Sequence, residues 1–357
     1  MARWGLWAAI GIGYLAAACA STIGPVTPPV EVLVVLDSTD DTLRIIPVDS
    51  IGVVHHLIIT PRTSKITALA LHGQVAAISD SDDVMFLDLG SHHSACIDGH
   101  PVALNAQGVI GSLVFNDDGQ GYASTPSTDS VSHFLAPPVC GAGTGSVAGT
   151  PQGFGVARGR VFVVVANRQG CPLGTNGCPD APSWLTTEPG VRDSFPLLGP
   201  GDARSGIFAS DGSLYVVSAG DGSSDGILSQ IDPLQPGNVN SYSGFGHAPQ
   251  YLATDGADRI FVASPVDGLM VFNVRTHQVE RGVNAAVPLN GAAHGLATDD
   301  FGRIYALTAG SCTASGARGS VQILGSDLVA QHPIAVGRCP IGIGVTEIPA
   351  ALYHFDN

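Results

Sequence analysis

The chain has 357 residues and a formal net charge of −15, from 30 acidic against 15 basic side chains, Lys65 being the one lysine. A surface of that sign repels phosphate backbones and anionic headgroups, which excludes nucleic acid as a natural partner. Charged residues are only 13% of the chain, and 46 glycines and 24 prolines punctuate it, which excludes long helices and leaves an all-β domain of short strands.

Residues 1–18 read as a signal peptide of lipoprotein type: Arg3 supplies the positive start, Trp4 to Leu15 is an apolar run too short for a comfortable membrane span, and small residues follow. Ala16, Ala17 and Ala18 ahead of Cys19 resemble a bacterial lipobox, with Ala16 where leucine is usual and Leu15 one place early. Lipidation of Cys19 is the expectation, and simple cleavage at an A-x-A site is the alternative. In the lipoprotein reading, Ala20 rather than aspartate points to the outer membrane. Residues 19–30 form a Pro-rich tether that reaches on the order of 30 Å.

Two strands follow, Val32 to Asp37 ("VLVVLD") and Thr42 to Val48 ("TLRIIPV"). Beyond them a marker recurs: Leu69, Leu113, Phe154, Ile207, Leu252, Leu296 and Ile343, at steps of 44, 41, 53, 45, 44 and 47 residues. Internal periods of this length signal a repeat architecture, and each step holds one four-stranded blade. Asp-Gly turn chemistry separates the strand-like runs within a unit. An aromatic follows eight or nine residues after five of the markers, at Tyr122, Phe162, Tyr215, Phe261 and Tyr305, where a second strand would pack its ring between neighbouring sheets. The last marker, in "PIGIGV" from Pro340, has no strands after it, and the two N-terminal strands have no first strand of their own. The predicted fold is therefore an all-β, seven-bladed β-propeller over residues 31–349, closed by pairing of the N-terminal strands with the C-terminal strand, with residues 350–357 as a tail.

"LVVLDSTDDTLRIIPVD" and "HGLATDDFGRIYAL" resemble the latter and former halves of the repeat in the YVTN-type and NHL-type propeller families. The resemblance covers about residues 31–348 and implies geometry more than activity. The chain departs from it after Pro151, where an insertion rich in Cys, Gly and Pro lengthens the unit.

Seven cysteines leave six once Cys19 carries lipid, an even number suited to disulfides in an oxidising periplasm. Cys171 with Cys178 would staple the insertion. Cys312 with Cys339 would join two loops on one face of the ring. Cys96 and Cys140 pair by elimination, although equivalent outer positions on adjacent blades stand well apart. A metal at Cys171 and Cys178 would lack a second ligand pair, so no metal or other cofactor is expected.

The acidic turns at Asp117–Asp118, Asp211, Asp255 and Asp299–Asp300 match no full calcium-loop spacing and read as hairpin chemistry, while Asp80, Asp82 and Asp83 read as a solvated loop. No catalytic residue is assigned. Candidate binding residues lie where chains enter the first strands and face the channel mouth: Gln152, Arg204, Ser205, His247, Gln250 and His294. The favoured function is a non-enzymatic, lipid-anchored, monomeric binding or scaffold module that presents its loop-rich face to a protein, peptide or glycan of the bacterial envelope, facing the periplasm. The alternative is a hydrolase or lyase similar to propeller lactonases or streptogramin lyases, with "HGLATDDFGRIYAL" as the nearest local likeness and His294 as the matching histidine.

Overall fold

The computed structural model describes residues 28–59, 65–96, 100–105, 108–137, 140–146, 149–166, 183–187, 194–199, 201–220, 225–313 and 315–350. The expected signal peptide, Cys19, and the insertion with Cys171 and Cys178 lie outside the described residues. Seven four-stranded antiparallel sheets form a ring, the predicted seven-bladed β-propeller. Blade 1 orders its strands, from the channel outward, as Pro340–Ile348, Val30–Asp37, Thr42–Pro47 and His55–Ile58. The innermost strands of blades 2 to 7 are Leu69–His72, Ser112–Phe115, Thr150–Ala157, Ala203–Phe208, Tyr251–Thr254 and Ala293–Thr298. Every marker residue falls on an innermost strand.

The core divides as a ring demands. Seven hydrophobic clusters occur among the described residues, and each straddles one pair of adjacent blades. The run Val32 to Leu36 shows why the second strands lack polar alternation. Leu33 and Val35 pack toward blade 7 beside Tyr305, while Val32, Val34 and Leu36 pack toward blade 2 beside Ile78. A strand covered on both faces reads as a continuous apolar run. The expected aromatics sit in these interfaces: Phe162, Tyr215, Phe261 and Tyr305 are fully buried and Tyr122 nearly so.

The ring closes at the seam in blade 1, where Val30 faces Ile348 and the ladder runs to Asp37 opposite Pro340. Asp37 then acts as a clasp. Its buried carboxylate accepts the backbone N–H of Thr39 (3.1 Å) and Asp40 (3.0 Å) from its own turn, and that of Cys339 (3.2 Å) from the far end of the chain. Ser38 N–H donates to the Cys339 carbonyl at 3.0 Å. A Cβ at position 337 would strike the Asp37 carboxylate, so Gly337 is required there. The Cys312–Cys339 disulfide (Cα–Cα 4.6 Å) pins the same spot. Its separation of 27 residues corresponds to about 3.5 kcal/mol in the chain-entropy account.

Cys96 and Cys140 are also bonded, with Cα atoms 6.0 Å apart. The expected obstacle, the distance between outer strands, does not arise. Cys96 lies on a segment folded back onto the third strand of blade 2, where Ala95 N–H donates to Phe86 O at 3.0 Å, and Cys140 lies in the last turn of blade 3. Phe86 and Phe134 stack edge-on beneath the bridge, with centroids 5.5 Å apart. Asp80 corrects another expectation: it ends a second strand and is fully buried rather than solvated.

Two predictions follow from the seam. Deleting residues 340–357 uncovers the inner edge of blade 1 and yields aggregating protein, whereas a circular permutant that joins the termini and opens between two other blades folds; solubility and thermal melts check both. Asp37→Ala strands the buried N–H of Cys339 and removes the acceptor of two part-buried turn donors, and lowers stability by about 2 kcal/mol in urea unfolding.

Candidate functional site

Innermost strands all begin on one face of the ring, which is also where the second strands end; both the Cys312–Cys339 bridge and the mouth of the channel belong to this entrance face. The first strand of several blades carries a β-bulge at its start. The ladder skips Gln152 in blade 4, Arg204 in blade 5, His294 in blade 7 and Ile341 in blade 1. A bulge leaves one residue unpaired and takes its side chain out of the alternation; Ile341 packs into the cluster between blades 1 and 2, whereas Gln152, Arg204 and His294 bring polar groups to this level. Gln250 holds the same place in blade 6, with its N–H donating to Ala263 O at 2.9 Å.

The result is a polar arc over four consecutive blades: Gln152, Arg204, Gln250 and His294. The remaining three blades place Ile341, Thr67 and Gly111 at this level. Thr67 is committed elsewhere, through its N–H to Ser79 Oγ (2.9 Å) and its hydroxyl to Ile110 O (2.5 Å).

Register shows why Arg204, rather than Ser205, belongs to the arc. In four blades the aromatic of the second strand faces the residue after the marker, as Phe162 faces Gly155 and Tyr305 faces Ala297. In blade 5 Tyr215 faces Ile207 itself, so the structural counterpart of the marker is Gly206. Ser205 instead donates its hydroxyl to Gln250 O at 2.8 Å and ties blade 5 to blade 6.

Arg204 is the centre of the arc. Its Nη2 donates to Asp202 Oδ2 at 2.6 Å, and its Nη1 donates to Gln152 Oε1 at 3.3 Å. Asp202 is buried and sits at φ +67°, a left-handed conformation that a non-glycine residue adopts at a cost and that here brings its carboxylate under the guanidinium. Gly153 permits the approach, because a Cβ there would strike Arg204 O. Gln152 Nε2 and Arg204 Nε are buried without a hydrogen-bond partner. Tyr251 lies within the field of Arg204; burial pushes its hydroxyl pKa up, which keeps the phenol neutral. Asp202 and Tyr251 were not singled out from sequence, although each lies within two residues of a candidate that was.

His294 differs from its neighbours. Burial lowers its pKa below 6.5, and a hydrogen bond to the backbone of Pro340, which can only accept, opposes that fall. The imidazole is therefore neutral at pH 7, with one N–H held by blade 1. His247 is not brought to the arc: its Nδ1 lies 3.3 Å from Asp267 Oδ2 in a turn of blade 6, its N–H donates to the same oxygen at 2.5 Å, and its side chain is 51% exposed.

The acidic turns are hairpin chemistry, as expected. Asp299 Oδ1 accepts the N–H of Phe301 and Arg303, while Oδ2 accepts Arg303 Nε and Tyr305 OH. Asp255 repeats the pattern with Ala257 and Arg259, and Asp211 with Ser213 and Tyr215. Asp117 reaches the next blade instead, accepting Gly159 N–H.

No family model matches the chain, and neither does any curated protein. Solved structures do. A streptogramin B lyase is similar at 11% identity with a TM-score of 0.58, covering 89% of this chain and 98% of that one. The selenomethionine-substituted virginiamycin B lyase of Staphylococcus aureus gives 10%, 0.55, 76% and 84%, and apo AztD from Citrobacter koseri gives 11%, 0.52, 90% and 99%. At such identities the likeness shows the fold, a seven-bladed propeller, and nothing of activity.

The link from His294 through Pro340 to Cys339 is testable. Replacing Cys312 and Cys339 together by serine loosens the Pro340 carbonyl that opposes the effect of burial. His294 then titrates lower still in NMR pH titrations; an unchanged or higher pKa would show the bridge has no hold on the imidazole. The sign also fixes acid behaviour: the contribution of neutral His294 to stability is complete above pH 6.5 and falls as pH drops through that value toward the folded pKa.

Proposed function

We propose that this chain is a lipid-anchored propeller of the bacterial envelope, probed for ligands at its channel mouth and acting as a binding module for a protein, peptide or glycan. The carrying observation is the arc itself. Three of four consecutive blades spend a strand irregularity on Gln152, Arg204 and His294, Gln250 holds the same level in the fourth, and two of these side chains keep buried donors unmatched. Unmatched buried donors cost free energy that a ligand acceptor recovers.

Two disulfides among the described residues belong to an oxidising, extracytoplasmic compartment. No helix of the described residues is long and apolar enough to cross a membrane. Attachment through lipid on Cys19, followed by a Pro-rich tether, supplies the membrane link in this reading, with the outer membrane as the site of anchoring.

A second reading, a lyase, is favoured by one observation. Burial holds the His294 pKa below 6.5, so at pH 7 the imidazole is neutral and one ring nitrogen carries a lone pair, as a general base requires. The fold likeness to two lyases is compatible with it.

Titration calorimetry against stem peptides, linear peptides and oligosaccharides of the envelope separates the readings. Stoichiometric binding that Arg204→Ala abolishes, with ligand recovered intact by mass spectrometry, supports the module. Ligand recovered as a cleaved product, dependent on His294, supports the lyase. Intact mass of membrane-extracted protein checks the anchor: the mature chain starts at Cys19 with added diacylglycerol mass, and an unlipidated chain starting at Ser21 contradicts it.

A further inference from the structure

We infer that the mouth recognises the uncharged backbone of a peptide segment, with blades 4 and 5 donating to its carbonyls and blades 6 and 7 accepting from its N–H groups. This rests on the binding-module reading and names the ligand class for that site.

Charge comes first. Arg204 is the one cation of the arc, and Asp202 cancels it at 2.6 Å. Gln152 and Gln250 are neutral, and burial keeps both Tyr251 and His294 neutral. The arc thus has no net charge, in a chain of −15, so a carboxylate or phosphate gains little there and is repelled at long range.

Hydrogen bonding comes second. Gln152 Oε1 is engaged by Arg204 Nη1, and Arg204 Nη2 by Asp202, which leaves Gln152 Nε2 and Arg204 Nε as buried donors without partners. The matching group must accept without itself bringing a hydrogen that needs burial. An amide carbonyl does so, whereas every sugar hydroxyl adds a donor. The next two blades can accept, through the Gln250 side-chain oxygen, whose amide nitrogen can also donate, and through the lone pair of the neutral His294 ring. Donors on one side and acceptors on the other complement the alternating C=O and N–H of an extended peptide, the pairing by which peptide recognition usually obtains affinity.

The test uses fluorescence anisotropy on the full mature chain with a library of N-acetylated, C-amidated hexapeptides of uncharged residues, beside chito-oligosaccharides and the same peptides carrying a free carboxylate. A selected capped peptide is expected to bind, and to bind no better with the free carboxylate. Arg204→Lys keeps the cation beside Asp202 and lacks Nε; Gln152→Glu keeps the oxygen facing Arg204 and lacks Nε2. Each is expected to weaken binding about tenfold with an unchanged melting temperature. On wild-type protein, replacing a contacted peptide carbonyl by a methylene should cost about tenfold as well, which keeps the test decisive if a variant fails to fold. Wild-type affinity in both folded variants, or indifference to the methylene peptide, overturns the inference. Binding of chito-oligosaccharides alone, lost in Arg204→Ala, overturns the peptide class while leaving the module standing. Binding in no arm overturns both.

Discussion

The structure depends on one strand pairing, that of Val30–Asp37 with Pro340–Ile348. Without it blade 1 has no inner strand, blades 7 and 2 lose the sheet they pack against, and the channel has no closed wall. The clasp concentrates several interactions at the entrance-face end of the seam: the Asp37 carboxylate on Cys339 N–H, the Ser38 N–H on Cys339 O, and the Cys312 bridge. A buried carboxylate satisfied by backbone donors is stable only while those donors stay in place, so the chain ends are locked in register rather than merely in contact. Because Pro340 follows Cys339 directly and accepts from His294, the same lock also fixes one member of the mouth.

Repetition builds the ring, and irregularity builds the site. An undisturbed first strand would point its side chains at the two neighbouring blades, where only small or apolar groups fit. A bulged residue escapes that alternation, so the same level in each blade can carry a polar group without disturbing the interfaces. Polar occupancy of that level on blades 4 to 7, against Ile341, Thr67 and Gly111 on the others, makes a symmetric scaffold lopsided. Function in such a fold resides in these substitutions and in the loops, not in the blade.

Periodicity makes the blades legible in the sequence, because markers such as Leu296 and rings such as Tyr305 answer to the same packing in every unit. The seam was legible for the same reason: "VLVVLD" and "PIGIGV" each lack what the other has. The bulges were not. Whether Arg204 or Ser205 faces the channel turns on a register slip of one residue, which no hydrophobic pattern encodes when the strand reads Ala-Arg-Ser-Gly. Cys96 with Cys140 was reachable only by elimination, since the fold-back that carries Cys96 to blade 3 has no periodic signature. Asp37 reads in the sequence as the last residue of a strand, and its role as a clasp appears only when a partner 302 positions away arrives beside it.

Amide hydrogen exchange at the seam tests the account most directly. If closure is part of the global fold, the amides of Val32 to Leu36 exchange only through complete unfolding, with the same protection as Ile260 to Ala263 in the continuous blade 6. Faster exchange along Val32 to Leu36, through an opening that leaves blade 6 protected, would show that the ring stands without its seam and would contradict the claim that the rest depends on it.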